Sequence, residues 1–446
     1  MKMTPSIAFP AQKLPVLANA DVVVAGAGAS GVAAAIQAAR RGGKVILFDR
    51  GPCAGGILSM GLLPSVIHMS DGKNLLAGGI CLEMCRSIAD RMRRPFNSNW
   101  FNVHPEAVKI VLDEMLAEAG VEVFYETTLC RALTRRGRIH AAAVMTRRGM
   151  MAITGKYFID ATGDGALAML AGAPCAYGSE EHEIQGPTLC SYFTDIDFSA
   201  LPEAVRERGL GRAEWRQAMT SGESLPVQEG HFVGLFRNGP DSGSGNLGHI
   251  YGTDVLDPVS LSAAYREGRR QAWAFRDFFR SHVAGFAKAE LGATASLLGV
   301  RESRRIVGEY VLTREDYLAR RHFRDDIGCF AYGIDIHSGK TDVAAQAKVE
   351  IRLGRSYYEA GENYGIPYRA LLPRNTVNLL VAGRCIATDR AMQASIRIVP
   401  GCMITGQAAG AAAALALQTE RPLRRIAVGK LRSVLRSAGC FLGETR

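Results

Sequence analysis

The chain has 446 residues, 48% of them hydrophobic and 22% charged, and carries a formal net charge of +10 at pH 7. These proportions are typical of a folded globular protein with two or three domains' worth of core, and they exclude a disordered or fibrous chain. No apolar run approaches the roughly 18 to 20 residues that cross a bilayer, and the first residues lack the continuous apolar stretch of a secretory signal. We therefore expect a cytoplasmic protein without a membrane span.

The cysteines and the basic residues form no organised pattern. The ten cysteines include no CxxC motif, so we expect reduced thiols and no iron–sulfur cluster, zinc or other metal site. Basic clusters, such as those at residues 91–94 and 134–138, are scattered and lack interleaved aromatic residues that would stack bases. A solvated basic surface is the expectation, and the pattern argues against a nucleic-acid partner.

Near the amino terminus the sequence predicts a βαβ unit. An apolar, β-branched run at residues 21–25 is typical of a buried parallel strand, and it leads directly into a glycine-rich turn at residues 26–31. The turn opens a helix of small residues, which the glycine pair at residues 42–43 ends. A second apolar strand follows at residues 44–48.

The spacing of Gly26, Gly28 and Gly31 is the dinucleotide-binding fingerprint. The first glycine permits the tight turn, the second lets a phosphate approach the backbone, and the third allows the helix to pack closely on the strand. The helix amides would face the pyrophosphate, where their partial positive charge is favourable. Asp49, at the end of the second strand, is placed to accept hydrogen bonds from an adenosine ribose. By itself the fingerprint fits NAD as well as FAD.

Farther along, apolar periodicity predicts a helix from Pro105 to Gly120. The segment VEVFYET at residues 121–127 and strands near residues 138–146 and 150–159 are then expected to form a small meander. The meander ends in the sequence IDATGDG, residues 159–165. Residues 181–370 have a different character, with aspartate-rich turns and a long helix. They indicate a separate domain that covers the substrate.

A second GxGxxG match, at Gly243, Gly245 and Gly248, lacks the context of the first. No apolar strand precedes it, and the residues that follow do not form a helical pattern. We interpret this match as an ordinary loop.

Four segments together carry a resemblance to a known family. They are GAGASG at residues 26–31, the pair Gly55-Gly56, IDATGDG at residues 159–165, and the segment from LLVAGRCIATDR through PGCMITGQAAG at residues 379–410. The chain resembles the FAD-dependent oxidoreductases that have a glutathione-reductase-type, two-part flavin domain. The resemblance spans nearly the whole sequence and implies FAD as the cofactor.

The resemblance also implies which residues contact FAD. The Gly55-Gly56 loop is expected beside the pyrophosphate, the ATGDG turn returns the chain to the site, and the carboxy-terminal strand and helix approach the flavin. A helix amino terminus at residues 402–405 would stabilise negative charge on a reduced flavin. The expected cofactor-binding residues are Gly26, Gly28, Ala29, Ser30, Gly31, Asp49, Arg50, Gly55, Gly56, Ala161, Thr162, Gly163, Asp164, Gly383, Arg384, Cys402, Met403 and Ile404.

Three further residues are the catalytic candidates. On a strand, Asp335 and His337 would point to the same face, so the carboxylate could orient an imidazole that accepts a substrate proton. Arg397 is placed to bind a substrate carboxylate or the flavin edge. For Arg301 and Arg304, on one face of a helix, ion pairing at a surface or between domains is the expected role.

The fold expected from these patterns is α/β. A Rossmann-like FAD domain with a parallel sheet and a small meander would comprise residues 18–75, 100–180 and 371–446, and an inserted mixed α+β substrate domain would comprise residues 181–370. The expected function is hydride transfer between a small hydroxylated or carboxylated molecule and flavin N5, as in a dehydrogenase or oxidase.

Other functions stay open at this point. They are a flavin-dependent reductase or monooxygenase, an RNA-modifying flavoprotein and a non-catalytic flavin-binding protein. The sequence also leaves open the external electron acceptor, which could be oxygen, a quinone or another redox partner, and whether the protein is a homo-oligomer.

Overall fold

The computed structural model describes residues 11–225, 227, 229–230, 232–339 and 358–443. Within these residues the strands, in chain order, are β1 (Val16–Ala25), β2 (Val45–Phe48), β3 (Ser65–Ile67), β4 (Trp100–Asn102), β5 (Glu122–Phe124), β6 (Thr128–Arg135), β7 (Arg138–Thr146), β8 (Gly149–Asp160), β9 (Cys175–Tyr177), β10 (Ser191–Thr194), β11 (Arg208–Leu210), β12 (Leu235–Arg237), β13 (Gly243–Gly245), β14 (Glu290–Thr294), β15 (Arg304–Ile306), β16 (Asp326–Phe330), β17 (Tyr364–Pro367) and β18 (Leu379–Val381). The helices are α1 (Ala29–Arg40), α2 (Gly79–Met92), α3 (Pro105–Glu118), α4 (Ala166–Leu170), α5 (Arg212–Ser221), α6 (Pro258–His282), α7 (Arg314–Leu318), α8 (Arg390–Ile396), α9 (Val399–Thr419) and α10 (Val428–Ser437).

The largest sheet is mixed, and β8 is the strand that joins its two parts. Strands β5, β2, β1 and β8 run parallel in that order. On the other side of β8, its first half pairs antiparallel with β7, and its last three residues pair parallel with β18. The fold is therefore mixed α/β. Of the predicted meander, the strands near residues 138–146 and 150–159 are confirmed as β7 and β8, with β6 as the third strand. Residues 122–124 were wrongly placed in it, because they form β5, which pairs with β2 at the opposite edge of the sheet.

The centre of this sheet is buried on both faces. Val22, Val23 and Val24 of β1 have no exposed surface, because α1 covers the sheet on one side and strands pair on both edges of β1. A continuous apolar run, rather than an alternating one, is what such a strand requires. The carboxyl ends of β1, β2 and β8 therefore lie at one edge, where the glycine turn, Asp49 and the ATGDG turn follow them.

Helix α9 packs tightly on α1 through glycines. A Cβ atom on Gly406 would lie 2.0 Å from the carbonyl oxygen of Ser30, and one on Gly410 would lie 2.2 Å from that of Ala34. By length and composition α9 is apolar enough to cross a membrane, but its apolar window is completely buried in the protein. It is a core helix, held against the helix that begins at the glycine turn.

A second core, distinct from the first, lies within residues 193–289. Its antiparallel sheet has the order β11, β12, β13, β10, β14. Trp215 of α5 stacks on Phe232 with ring centroids 4.6 Å apart and lies against the aromatic residues of α6. The interpretation of the second GxGxxG match as a loop is wrong for Gly243–Gly245, which form β13. A Cβ atom on Gly243 would lie 2.1 Å from Cδ2 of Leu235, so packing against β12 requires a glycine there.

The packing differs from the expected domain division in two places. Helix α2, which the division leaves out, packs in the first core through Ile80, Met84 and Ile88. Described residues between Ile306 and Ala370, expected in the substrate domain, also contribute to the first core. Apolar side chains of these segments cover the sheet rather than the second core. The boundaries themselves stay a prediction.

Candidate functional site

A cavity of about 1210 Å³ is lined by residues beside the large sheet and by residues in or beside the antiparallel sheet. One part of its wall consists of the glycine turn, the ends of β2 and β8, and Arg384 after β18. Another part consists of Asn246, His249, Arg301, Asp335 and His337. The predicted cofactor residues and the predicted catalytic residues thus meet in a single space.

The three fingerprint glycines have different surroundings. Gly28 caps the amino terminus of α1 with an extended backbone (φ −70°, ψ −176°), lines the cavity, and a Cβ atom there would meet nothing within 4 Å. A Cβ atom on Gly26 would lie 2.5 Å from the carbonyl oxygen of Ala161, and one on Gly31 would lie 1.7 Å from that of Gly26. Gly26 and Gly31 therefore shape the turn, whereas Gly28 leaves room beside it. Ala29 and Ser30, in the first turn of α1, also line the cavity.

The side chain of Asp49 connects the glycine turn to the loop that follows β2. Its carboxylate accepts hydrogen bonds from the backbone N–H of Ala27 over 2.7 Å and of Gly51 over 2.6 Å. Gly55 forms an isolated bridge with Gly28, while Asp49, Arg50 and Gly56 line the cavity and Gly55 does not. The Gly55-Gly56 loop is thus held directly beside the fingerprint.

The ATGDG turn is organised by a buried carboxylate at the end of β8. Asp160 accepts hydrogen bonds from the hydroxyl and N–H of Thr162 and from the N–H of Ala168. Burial raises the pKa of Asp160 above its ordinary value. These contacts direct the following residues to the cavity, and the lining includes Ala161, Thr162, Gly163 and Asp164.

Asp164 and Arg384 form an ion pair at the cavity wall. The hydroxyl of Ser303 also donates to Asp164 over 2.7 Å, and Arg384 donates to the carbonyl oxygen of Val300 over 2.9 Å. Burial opposes ionisation of Asp164, but Arg384 and Ser303 outweigh it, so its pKa is lowered. The pair therefore ties the ATGDG turn to the carboxy-terminal segment.

Helix α9 begins three residues earlier than the expected amino terminus. Its cap is Ile398 and its first residue is Val399, and both line the cavity together with Cys402. Met403 and Ile404 are buried and are not part of the lining; Ile404 packs against Gly328. Gly383 is also outside the lining, since it packs against Ser30. Within this structure, the first turn of α9 reaches the cavity and the second turn does not.

Four ionisable side chains form a row, here called the buried polar row: Glu229, His249, His337 and Asp335. Oε2 of Glu229 lies 2.7 Å from Nδ1 of His249. Nε2 of His249 lies 2.9 Å from Nδ1 of His337, whose Nε2 lies 3.2 Å from Oδ2 of Asp335. Residues 331–338, which follow β16, do not form the strand that the sequence predicts for Asp335 and His337. Their local conformation nevertheless brings these two side chains into contact.

The charges along the row follow from burial and from neighbouring groups. Burial lowers the pKa of His337 well below its ordinary value, and Arg301 adds to that effect, although Asp335 opposes it. Burial opposes the charge on Asp335, but His337, Arg397 and Arg301 outweigh it and hold its pKa well below the ordinary value. His337 is therefore neutral and Asp335 ionised near pH 7.

These charges fix where the protons lie. Because ionised Asp335 only accepts hydrogen bonds, Nε2 of His337 carries the proton, and Nδ1 accepts one from Nε2–H of His249. Nδ1 of His249 and Glu229 then share one further proton. Both ring nitrogens of His337 are thereby engaged within the row.

Asp335 is the end of the row that faces the cavity. Its side chain is 36% exposed, against 7% for His337. Arg397 donates to the Asp335 carbonyl oxygen over 3.0 Å and to its Oδ2 over 3.3 Å, and the Tyr332 hydroxyl donates to Oδ2 over 3.0 Å. The three catalytic candidates from the sequence are thus in one hydrogen-bonded group.

The sequence did not single out three residues of this site. Glu229 and His249 complete the row. His249 directly follows the second GxGxxG match, and Asn246 lies within it, so this match was the signal in the sequence that could have indicated a site. His68 has a left-handed backbone (φ 57°), lines the cavity and lies against Tyr332 with ring centroids 4.9 Å apart. No hydrogen bond to its ring is found in the described part of the chain.

The sequence assigns Arg301 to ion pairing, but within the described residues its guanidinium forms no ion pair, and its segment is not helical. Arg301 lies in an irregular segment directly before β15, is 8% exposed, and lines the cavity. Its guanidinium donates to the carbonyl oxygen of Gly186 over 2.6 Å and to the hydroxyl of Thr188 over 2.9 Å. Both partners are neutral.

The residues around the glycine turn fit a flavin dinucleotide. The empty space beside Gly28 is where a pyrophosphate would approach, and the first helical amides of α1 have no partners within the helix. The thiol of Cys402, for which burial raises the pKa to about 12, stays neutral. Together the fold and site define a dinucleotide-binding α/β protein whose cofactor site opens on a polar second site.

Residues 21–435 match the model of the FAD dependent oxidoreductase family, and the chain belongs to that family. It is an FAD-dependent oxidoreductase. The family match also decides between NAD and FAD, which the fingerprint alone leaves open. No curated protein matches the sequence.

Several solved structures are similar over most of the chain. A geranylgeranyl bacteriochlorophyll reductase-like protein from Thermoplasma acidophilum is 12% identical, with a TM-score of 0.48, and the match covers 94% of this chain and 84% of that one. The flavin-dependent brominase Bmp2, as a triple mutant, is 12% identical with a TM-score of 0.47 over 94% and 84%. A myxobacterial chondrochloren halogenase is 13% identical with a TM-score of 0.47 over 94% and 79%.

Proposed function

We propose that this protein is a dehydrogenase or oxidase that removes a hydride from a small polar organic molecule. FAD, when bound, supplies the hydride acceptor at N5. The observation that carries the proposal is that the buried polar row ends, at Asp335, on the same cavity as the glycine turn and the ATGDG turn. A cavity with one dinucleotide wall and one wall of acid–base groups is suited to removing a proton and a hydride from one substrate.

Within this proposal, Asp335 and His337 act as a pair. A substrate hydroxyl would reach the pair at the Asp335 carboxylate, because that side chain is the more exposed and both ring nitrogens of His337 have partners. This order differs from the expectation that His337 meets the substrate directly. Arg397, which contacts Asp335 and lines the cavity, would keep the carboxylate in place and face the substrate.

His68 is a second candidate for the group that accepts the proton. His68 is exposed to the cavity, but the surrounding wall partly desolvates its ring and lowers its pKa below the ordinary value, so the imidazole is neutral near pH 7. Its left-handed backbone is uncommon for a residue other than glycine, and such conformations are found often at functional sites. Variants of His68 and of Asp335 distinguish the two candidates.

The test is an anaerobic screen of the FAD-loaded protein. Small alcohols, sugars, amines and hydroxy acids are mixed with it, and loss of the oxidised flavin absorbance is followed. We expect one class to reduce the flavin, and Asp335→Asn to slow that reduction by about 100-fold or more, the usual range for loss of a general base. Loss of reduction in His68→Gln, with normal rates in Asp335→Asn, would assign the base to His68 instead.

The alternative functions give different results in related experiments. Rapid reduction of the flavin by NADPH would replace the dehydrogenase with a reductase or monooxygenase. Tight RNA binding that weakens steeply with salt would favour an RNA-modifying enzyme. A flavin that no organic donor reduces would indicate a non-catalytic flavin-binding protein. We also propose that the protein is cytoplasmic. We propose that its chain is divided as expected into a substrate domain and an FAD domain of the glutathione-reductase type.

A further inference from the structure

Arg301 is a buried cation whose hydrogen-bond partners among the described residues are all neutral. Its Nη1 atom donates to Gly186 and Thr188, and Nη2 makes only a long contact of 3.5 Å with Oδ1 of Asn246. A guanidinium has five N–H donors. Several of them are therefore left for a group in the cavity that Arg301 lines.

The neighbouring buried arginine in the chain, Arg305, is paired with a carboxylate, whereas Arg301 is not. Arg305 is equally buried, at 6% exposed, but its Nη1 lies 2.8 Å from Glu302. Among the residues that the structure describes, no carboxylate oxygen lies within 4.0 Å of the Arg301 guanidinium. Because burying a charge without a carboxylate partner is costly, an anion bound in the cavity would stabilise the Arg301 guanidinium.

A second guanidinium faces the same space. Arg397 lines the cavity with a side chain that is 12% exposed, and its Nε atom is buried without a hydrogen-bond partner in the described part of the chain. Burial lowers the pKa of Arg301 to about 10, and the positive charge of Arg397 contributes to that shift. Asp335 and Glu229 partly oppose this shift. Arg301, Arg397 and ionised Asp335 all line the cavity and together carry a net positive charge, which an anion bound there would balance.

We infer that Arg301 and Arg397 bind a carboxylate group of the substrate, so that the molecule oxidised in this cavity is an organic acid. This inference rests on the proposed function, since it names the substrate class of the same site. A planar carboxylate matches the geometry of guanidinium donors. Its binding would fix the rest of the substrate beside Asp335.

The negative charge of Asp335 affects whether a carboxylate or a phosphate would bind more favourably to the two arginines. Oδ2 of Asp335 lies 3.3 Å from Arg397, so an anion bound to Arg397 would also lie close to a negative charge. The repulsion is about twice as large for a dianion as for a monoanion. The attraction to the arginines doubles as well, but Arg301, Arg397 and Asp335 together carry a net charge of +1, which a monoanionic carboxylate neutralises and a dianion exceeds.

The experiment measures binding to the oxidised, FAD-loaded protein, with no turnover required. Lactate and its neutral amide, and benzoate and its neutral amide, are titrated by calorimetry and by the change in the flavin spectrum; inorganic phosphate is the competing anion. We expect at least one acid to bind about 10- to 100-fold more tightly than its amide, the range for hydrogen bonds to a charged group. Phosphate should compete weakly.

Three variants test whether Arg301 causes the preference for the acid over its amide. Arg301→Gln should remove the preference for the acid, and Arg301→Lys should restore part of it because the charge is kept. Arg305→Gln is the matched control, since Arg305 is buried but does not line the cavity; it should keep the full preference. If Arg301→Gln does not fold, Arg397→Gln and Arg301→Lys give the same comparison.

Equal binding of acid and amide, no binding of either acid, or stronger binding of phosphate would each overturn the inference. So would loss of FAD in Arg397→Gln together with normal acid binding in Arg301→Gln, which would make Arg397 a flavin contact. The proposed function fails separately: if no organic donor reduces the flavin, the acid preference can still be measured. Conversely, reduction by neutral alcohols without an acid preference would retain the function and reject the carboxylate site.

Discussion

Nε2 of His249 lies 2.9 Å from Nδ1 of His337, although 88 positions separate the two residues in the chain. His249 follows β13 in the second core's sheet, and His337 follows β16, which packs in the first core. The contact therefore connects the two cores at the cavity. It also fixes the tautomer and orientation of His337, because Glu229 holds the other nitrogen of His249.

Replacing His249 tests whether the row positions His337. His249→Gln should slow flavin reduction by the substrate by about 10- to 100-fold, as expected for losing a group that orients an acid–base residue. FAD content should be unchanged. The proximity of His249 lowers the pKa of His337, so the low-pH decline of the rate should move to higher pH. A slower rate with an unmoved pH profile would indicate a structural role alone.

The pH dependence of flavin reduction follows from the shifts of Asp335 and His337. Both pKa values lie well below their ordinary values, so the reactive state, with Asp335 ionised and His337 neutral, is present at neutral pH. As pH falls, protonation begins only below the ordinary histidine range of about 6.5. The rate should therefore stay constant from neutral pH down past that value and then decline. His140→Gln, an exposed position outside the cavity, should leave this profile unaltered; a decline that begins above neutral pH would contradict it.

Gly28 offers a way to remove the cofactor without disturbing the fold. A Cβ atom there meets nothing, and the extended backbone suits alanine, so Gly28→Ala should fold normally. The added methyl group would occupy the space of the pyrophosphate, and we expect the purified variant to lose most of its flavin absorbance. Gly429→Ala, at an exposed helical position with open space, is the control and should keep FAD. Full FAD content in Gly28→Ala would mean that the pyrophosphate lies elsewhere.

Gly406 tests the packing of α9 on α1. In Gly406→Ala the new Cβ atom would be 2.0 Å from a backbone oxygen of α1, which only a shift of one helix can relieve. We expect a loss of about 1–3 kcal/mol in the free energy of unfolding, typical of overpacking, together with weaker FAD retention because Ser30 would move. Urea unfolding measures the first effect and flavin absorbance the second. Unchanged stability would show that the two helices are less tightly packed.

Much of the cofactor end could be predicted from the sequence. The strand, glycine turn and helix are local in the chain, so spacing alone indicates that Gly26 and Gly31 make close contacts while Gly28 faces open space. Asp49 and the ATGDG turn also follow buried strands and line the cavity, as their positions in the chain predict, while their contacts with FAD stay predictions. The prediction of which residues of α9 line the cavity was less accurate. A helix that starts about one turn earlier brings different residues to the cavity, here Cys402 rather than Ile404.

The sequence by itself determined the α/β class, the glycine turn and, through its family, FAD, because those features depend on residues adjacent in the chain. Only the tertiary structure decided that Glu229 and His249 extend the pair of Asp335 and His337, and that Arg301 is buried without a carboxylate partner among the described residues. These contacts join segments tens of residues apart. Side-chain charge and burial at such contacts depend on how two cores pack together, and no local spacing records that packing.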